Sequence, residues 1–422
     1  MAPSGRRPSH TRLLLGLIGL VGLALSGCGG KERTERQTSL QVAASPTALH
    51  DKGSVYESIV DEFFPRMNAP GMAVAVVKDS QLLWAKGYGS ANLATGTAVT
   101  TRTPFMLASV TKMVTATALM QLWEKGKFRL DDDINRFLPF RVRNPAFPDV
   151  PITFRMLLNH GSSIGDNWDM MPYYFDSGPV PPLGEALRAY FDPETPGFDP
   201  SVNFSPWAPG TVMSYSNMGF ALAGYLVEKI ARQPFHAYCK EHIFEPLGMN
   251  AGFFMKDFRR QATQPAMPYS LDGATGQFVP YGQYEISDYP DGTLRTDVVS
   301  LSRFLMVHMN GGKVPGYPRI LRDATVRLMH TPQFTDVAGY WDPWVPWYGL
   351  GFTIGSDFGN GLLVDGHEGG DIGVSSYAFY DEASNVGVVF LCNGETWALP
   401  EYLLILGDLP GRLTAAAIAD HR

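Results

Sequence analysis

Three short clusters carry residue types that can do acyl-transfer chemistry. Ser109 and Lys112 stand three apart in Ser109-Val110-Thr111-Lys112, at the start of a helical pattern. One helical turn puts them on the same face, so the amine reaches the hydroxyl. A lysine buried beside a helix N-terminus loses affinity for its proton, because desolvation and the helix dipole both oppose the charge. An uncharged amine can then help take the serine proton, which a hydroxyl must lose to attack at neutral pH. Tyr215 and Asn217, in Tyr215-Ser216-Asn217, follow the turn Pro209-Gly210-Thr211 and open another helix, so a phenol and a carboxamide can face one cleft. His367-Glu368-Gly369-Gly370 ends a strand, after Asp365-Gly366, and its glycines let a backbone lie flat against a substrate. Each cluster alone also has an ordinary structural explanation: a surface helix start, a helix cap with a core tyrosine, a tight turn with a solvated histidine.

Other candidates are weaker. Gly161-Ser162-Ser163-Ile164-Gly165 matches the Gly-x-Ser-x-Gly nucleophile pattern, but that elbow needs a strand before it and a helix after it. Here Thr153 to Leu158 reads as helix and Pro172 soon follows, so Ser163 is discounted. None of the nine histidines has a zinc-type spacing, so neither metal nor cofactor is expected. Cys239 and Cys392 have no activating neighbour in sequence and read as buried free thiols.

The chain around these clusters is an ordinary globular one. Its 422 residues are 45 % hydrophobic and 18 % charged, enough for a large core without metal or disulfide staples. A net charge of −7 argues against a nucleic-acid partner, which would require a basic stripe. Arg6, Arg7 and Arg12 precede the apolar run Leu13 to Leu25, which falls short of the roughly 20 residues a span needs and reads as a secretory signal over 1–27. The junction Leu25-Ser26-Gly27-Cys28 resembles a bacterial lipobox, implying cleavage before Cys28 and lipidation of its thiol. Residues 28–53 then form a polar tether. The lipobox resemblance implies export and a lipid anchor at the periplasmic face of an outer membrane or the cell surface, with no other membrane contact. Gly29 rather than Asp after the cysteine favours, by the same resemblance, the outer membrane where there is one.

The elements that must position the clusters follow from periodicity. Ser54 to Pro65 is helical, Met72 to Val77 is an apolar strand, and Gln81 to Tyr88 pairs with it across Lys78-Asp79-Ser80. A helix from Ser109 to about Gly126 carries one buried stripe. Helices follow at Thr153 to Asn159, Met218 to Ala231, Pro234 to Glu241 and Asp297 to Met309. Trp168 to Pro209 holds nine Pro and nine aromatics in 42 residues, an irregular insert of the functional kind. Strands return at Tyr348 to Ile354, Leu362 to His367, Ser375 to Asp381 and Val386 to Leu391. The expected fold is α/β (α+β): one antiparallel sheet built from both ends of the chain, flanked by helices, with a mainly helical region inserted at about 120–310. The domain would occupy 54–400, and 401–422 a C-terminal helical segment.

Taken together, the three clusters resemble the serine β-lactamase and penicillin-binding superfamily. The likeness is to its class C-like branch of D-alanyl-D-alanine carboxypeptidases, class C β-lactamases, D-aminopeptidases and family VIII esterases. It extends through Ile152 to His160, Pro209 to Met249 and Gly292-Thr293-Leu294-Arg295-Thr296, about Ser54 to Asn393 in all. The resemblance implies that Ser109 is acylated, Lys112 is its proton partner, Tyr215 shuttles the proton to the leaving group and Asn217 orients the acyl chain. It also implies an oxyanion hole from the N–H groups of Ser109 and Gly370, with His367 and Gly369 along the substrate. His367 stands where the lactamases carry Lys, which leans toward peptidase or esterase action. A protonated His367 would hold a substrate carboxylate only at lower pH. Two departures are Gly161-Ser162-Ser163 in place of Thr-Ser-Gly, and Glu368, whose carboxylate should repel acidic substrates. The implied substrate is a small acyl or peptide compound, cell-wall material included, with specificity set by Trp168 to Trp207 and Tyr281 to Pro290. A non-catalytic binding protein on the same scaffold is the alternative, since function lives in the site rather than the fold.

Overall fold

The structure, a computed structural model, describes residues 53–175, 179–334, 347–358 and 360–420. The expected leader, Cys28 and all but the last residue of the tether lie outside them. Among the described residues, eight strands form one sheet: β1 (Gly71–Lys78), β2 (Gln81–Asn92), β3 (Thr97–Ala98), β4 (Trp347–Tyr348), β5 (Thr353–Ser356), β6 (Val364–Asp371), β7 (Val374–Asp381) and β8 (Val386–Cys392). Their order is β4-β5-β6-β7-β8-β1-β2-β3, with every neighbouring pair antiparallel. The join between the two ends of the chain is β1 on β8, in register from Met72 opposite Cys392 to Lys78 opposite Val386. The fold is thus a mixed α/β one around an antiparallel sheet contributed by both ends.

Five helices cover this sheet or carry site residues: α1 (Gly53–Phe63), α2 (Thr111–Glu124), α3 (Asn217–Ala231), α4 (Val298–Met309) and α5 (Tyr402–Ala419). They explain why β1 from Met72 to Val77 and β8 from Val386 to Cys392 carry no polar alternation. Met72, Val74 and Val76 face a core shared with Tyr56, Val60 and Phe63 of α1 and Ile405, Leu409 and Leu413 of α5. Ala73, Ala75 and Val77 face the larger core containing α2, α3 and α4. A strand covered on both faces has no solvent side on which to place polar residues. Cys392 lies in the first core and Cys239 in the second, so the sheet separates two free thiols. Burial pushes the Cys392 thiol up to about 12.

Three expectations are corrected. Helix α2 is buried on all sides from Thr111 to Leu122, not along one stripe, because α3, Phe235–Cys239 and Tyr289–Asp291 pack around it within the larger core. The strand expected at Tyr348 to Ile354 is a hairpin, broken at Gly349 and Gly351. A Cβ on Gly351, whose φ is +84°, would sit 2.3 Å from the Ala116 Cβ, and one on Gly349 would sit 2.1 Å from the Met329 carbonyl oxygen. The Trp168 insert is more ordered than its composition suggests, with helices at Leu183–Phe191 and Pro200–Asn203 and a strand at Tyr173–Phe175. The inserted region is mainly helical, as expected, and also holds short strands, among them Tyr284–Ile286 and Arg295–Thr296.

Packing at the two-ended sheet gives a direct stability test. Phe390 of β8 is fully buried and stacks on Tyr377 of β7 at 4.9 Å. Phe390→Ala should cost about 3–5 kcal/mol in urea unfolding. Leu404→Ala, on the exposed side of α5, should change stability by about 0.5 kcal/mol or less. Equal losses at the two positions would contradict the covered-sheet arrangement.

Candidate active site

Ser109 sits on a strained turn. The strand Phe105–Met106 pairs with Arg295–Thr296, and the chain then reverses at Ala108, whose φ of +45° is uncommon for a residue with a side chain. Three contacts hold the reversal: Leu107 N–H donates to the Leu294 carbonyl (2.8 Å), Leu294 N–H to the Thr111 hydroxyl (3.2 Å), and the Ser376 hydroxyl to the Leu107 carbonyl. A single 3-10 turn, Ala108–Val110, leads into α2. Ser109 therefore stands half-buried at a helix start, where the leading N–H groups have no partner within the helix.

Lys112 is fully buried one turn further on. Its Nζ lies 3.1 Å from Ser109 Oγ, 2.7 Å from Asn217 Oδ1 and 2.9 Å from the Asp291 carbonyl oxygen. The Asp291 carboxylate is 3.8 Å away. Burial lowers the affinity of this amine for its proton, while Asp291, Asp166, Asp288 and Asp371 oppose the shift by charge. The net direction is down. An uncharged amine has two N–H groups for Asn217 and Asp291, which leaves its lone pair aimed at the Ser109 hydroxyl.

Tyr215 is placed by stacking. Its ring lies 4.2 Å from the His160 ring on one side, and Lys112 Nζ is 5.0 Å from its centroid. The Tyr215 hydroxyl is buried without a close hydrogen bond, and burial drives it well above its ordinary value, with the Ser109 hydroxyl opposing. His160 accepts the Ser216 N–H at Nδ1 (3.1 Å), so it is neutral, and burial holds it well below the usual histidine value. Asn217 is fixed at both ends of its amide. Asp166 accepts its backbone N–H, its Nδ2 and the Met218 N–H, each at 2.9 Å, thereby capping α3. Neither Asp166 nor His160 shows a role in the sequence. His160 closes the stretch from Ile152 that resembles the superfamily, but its stacking on a tyrosine 55 positions later leaves no trace in spacing.

Strand β6 departs most from expectation. His367 is 1 % exposed and does not reach the cavity. Its Nδ1–H donates to the Glu368 carbonyl, and its Nε2 accepts the Tyr348 hydroxyl at 3.1 Å. Burial and the neighbouring Lys112 drive it down to about 3, so it is a neutral ring packed behind Tyr215 rather than a charged carboxylate receptor. Glu368 alternates to the opposite face, where its charge acts on Tyr377 and Tyr402, though its field also reaches Tyr215. Gly369 is also inward: a Cβ there would sit 2.4 Å from the Leu107 carbonyl oxygen and 2.9 Å from Ser109 N, so it lets β6 pack against the Ser109 turn. Gly370 is exposed and lines the cavity with Ser109.

That cavity, of about 70 Å³, is also bounded by Asn217, Trp168, Met171, Tyr173, Ile286, Asp288 and Asp291. Both segments expected to set specificity reach it, since Tyr173–Phe175 pairs with Tyr284–Ile286 as a two-stranded ribbon. Ser163 is elsewhere. It is 1 % exposed, its hydroxyl accepts from Asn144 Nδ2 at 3.1 Å, and the strand–turn–helix frame is absent, since helix Phe154–Leu158 precedes it.

Known proteins share this fold. The beta-lactamase family model matches residues 59–405. Penicillin-binding protein 4 of Amycolatopsis lactamdurans is 29 % identical over 362 residues, covering 82 % of this chain and 87 % of that one. Among solved structures, the octameric penicillin-binding protein homologue of Pyrococcus abyssi superposes with a TM-score of 0.68 at 26 % identity, over 88 % of this chain and 78 % of that one. The D-amino acid amidase of Ochrobactrum anthropi has a TM-score of 0.67 at 21 % identity, over 88 % and 100 %, a likeness of fold. With the family model spanning most of the chain and the sheet and helices arranged as in these relatives, the protein belongs to the beta-lactamase family.

Proposed function

We propose that the protein is a serine hydrolase that forms an acyl-enzyme at Ser109 on a small amide, peptide or ester. The observation that carries this is the buried Lys112 amine, shared between Ser109 Oγ, Asn217 Oδ1 and the Asp291 carbonyl. The amine lone pair takes the Ser109 proton as Oγ attacks the substrate carbonyl carbon. The N–H groups of Ser109 and Gly370 receive the negative charge that develops on the carbonyl oxygen, at a helix start whose dipole favours it. The Tyr215 hydroxyl gives its proton to the leaving group and recovers one from the Lys112 ammonium; water then cleaves the ester, releasing the acid and restoring the Ser109 hydroxyl. Asn217 has its Oδ1 on Lys112 and one Nδ2 hydrogen on Asp166, which leaves the other for the acyl chain.

Neutral His367 supports amidase, peptidase or esterase action over β-lactam hydrolysis, because it offers no cation to a lactam carboxylate. Penicillin-binding relatives and a structural neighbour described as a hydrolase with promiscuous acyltransferase activity are in keeping with acyl transfer. We further propose that the chain is exported and held at a membrane by a lipid on Cys28.

A fluorophosphonate should label Ser109 and not Ser163, and Ser109→Ala should abolish ester hydrolysis while the fold persists. An adduct on Ser163, or activity surviving in Ser109→Ala, would end this assignment, and no adduct at all would favour the binding-protein alternative. Because His367 is already neutral, His367→Gln should leave the shape of the pH–rate curve between pH 5 and 8 unchanged. The sign follows from its depressed value: the ring takes up a proton only far below that range. An inflection near pH 6.5 that vanishes in His367→Gln would show that the ring titrates after all. Cys28→Ser should release a soluble protein with unchanged ester turnover; loss of turnover together with the anchor would mean that the membrane takes part in the reaction.

A further inference from the structure

We propose that Arg295 is a positioning residue whose side chain fixes the ribbon of Tyr173–Phe175 and Tyr284–Ile286, and with it the depth of cavity open to the acyl group. This rests on the acyl-enzyme reading and adds a residue that sets its specificity. The main chain and the side chain of Arg295 serve different parts of the site. Its main chain pairs with Met106 on one side and Gly252 on the other, so it backs the strand that leads into the Ser109 turn. Its side chain is fully buried and ties other segments together. Nη1 donates to the Phe253 carbonyl (2.8 Å) and the Thr293 carbonyl (3.2 Å), and Nη2 donates to the Tyr284 carbonyl. Tyr284 stands opposite Phe175 in the ribbon. Side chains two apart on a strand share a face, so holding Tyr284 also places Ile286, which lines the cavity with Tyr173 and Ser109.

A guanidinium is costly to bury unless a partner charge or a full set of acceptors meets it. Among the described residues this one meets three carbonyl oxygens and no carboxylate at ion-pair distance, and its buried Nε has no acceptor. Burial lowers it to about 10, so it stays charged at neutral pH, and a charged donor makes the stronger hydrogen bond. Packing alone does not account for such a residue, since an apolar side chain of similar volume would avoid the cost. What arginine supplies is a planar fork that joins carbonyls of separate segments at fixed spacing, which a lysine ammonium does not match. Loss of the fork would fall on the ribbon. The Phe253 carbonyl keeps the Thr293 hydroxyl as a donor (3.1 Å). The ribbon keeps only side-chain ties to its surroundings: Tyr173 to Asp371 (2.7 Å), the Tyr284 hydroxyl to the Ile372 carbonyl (3.0 Å), and Glu285 to the Met255 N–H (2.8 Å). These hold it in place while its main chain is free to shift.

The test compares kcat/KM for p-nitrophenyl acetate and p-nitrophenyl hexanoate in wild type and Arg295→Met, with circular dichroism to follow the fold. A relaxed wall should lower the acetate-to-hexanoate ratio by at least about fivefold, chiefly through KM for the longer ester, since one methylene accepted or refused by a pocket is worth about tenfold or more. A small fluorophosphonate should still label Ser109 at the wild-type rate, because the main chain of residue 295 continues to back the Ser109 turn. Arg295→Lys keeps the charge but spans fewer carbonyls, so its ratio should fall between the two, and it carries the test where Arg295→Met does not fold. Both esters slowed by one common factor, or an unchanged ratio, in a folded variant would overturn the positioning role alone. Wild-type protein that takes no label at Ser109 would overturn the acyl-enzyme reading, and with it this account of specificity.

Discussion

One nitrogen organises this molecule. Lys112 Nζ lies within 3.1 Å of three oxygens: the hydroxyl of Ser109 on the same turn, and, from two distant stretches of chain, the amide oxygen of Asn217 at the head of α3 and the carbonyl of Asp291. Putting an amine at zero exposure is costly unless every polar atom around it is matched. The match requires the loop before Arg295 to run against α2, and α3 to begin at Asn217 and not a turn later. Asp166 secures the second condition by accepting three N–H groups from the first residues of that helix. The Thr115 hydroxyl, donating to the Pro290 carbonyl one turn along α2, secures the first. The same burial that demands this scaffold keeps the amine poor at holding its proton, so the chemistry and the folding constraint share a cause.

Sequence exposed the parts of this arrangement that depend on short spacing. Ser109 and Lys112 are one turn apart, and the apolar runs of β1, β7 and β8 could be read because strands covered on both faces show no polar alternation. What stayed hidden depends on contacts between distant segments. Asp166 looks like any loop acid until the fold carries it to α3. The role of Asp291 rests on its main-chain oxygen, which no residue type announces. The protonation state of His367 could not be read because it is set by burial: the same imidazole on an open strand end would hold a proton near pH 6.5, and packed behind Tyr215 it does not. The break at Gly349 and Gly351 was equally invisible, because the crowding that demands glycine comes from Met329 and Ala116.

The site shows how strain and polarity can be held in place by a core that is otherwise apolar. Ala108 keeps its positive φ because Leu107 is bonded to both Leu294 and Ser376, and Gly369 allows β6 close enough for the Ser376 contact. His160 does comparable work for the tyrosine. Its ring covers one face of Tyr215 and its Nδ1 takes the Ser216 N–H, so the phenol is held between an imidazole and an amine. These are positioning contacts. They hold Ser109, Lys112 and Tyr215 together as one packed group, whereas the exposed Trp168 stands on the rim among the segments that reach the cavity.

Burying so many ionisable groups ties the stability of the fold to pH from both sides. His160, His308 and His367 are all held below the ordinary histidine value by burial. The unfolded chain therefore binds protons that the folded chain refuses, and stability is lost as pH falls below about 6.5. The carboxylates pull the other way. Asp166, Asp288, Asp291 and Asp371 are pushed up by burial, so the folded chain holds protons that the unfolded chain releases above about 3.9. Their contribution is fully present below that value and drains away as pH rises, through about 7 for Asp288. The unliganded fold is thus squeezed between neutral histidines that resist acid and crowded carboxylates that resist base.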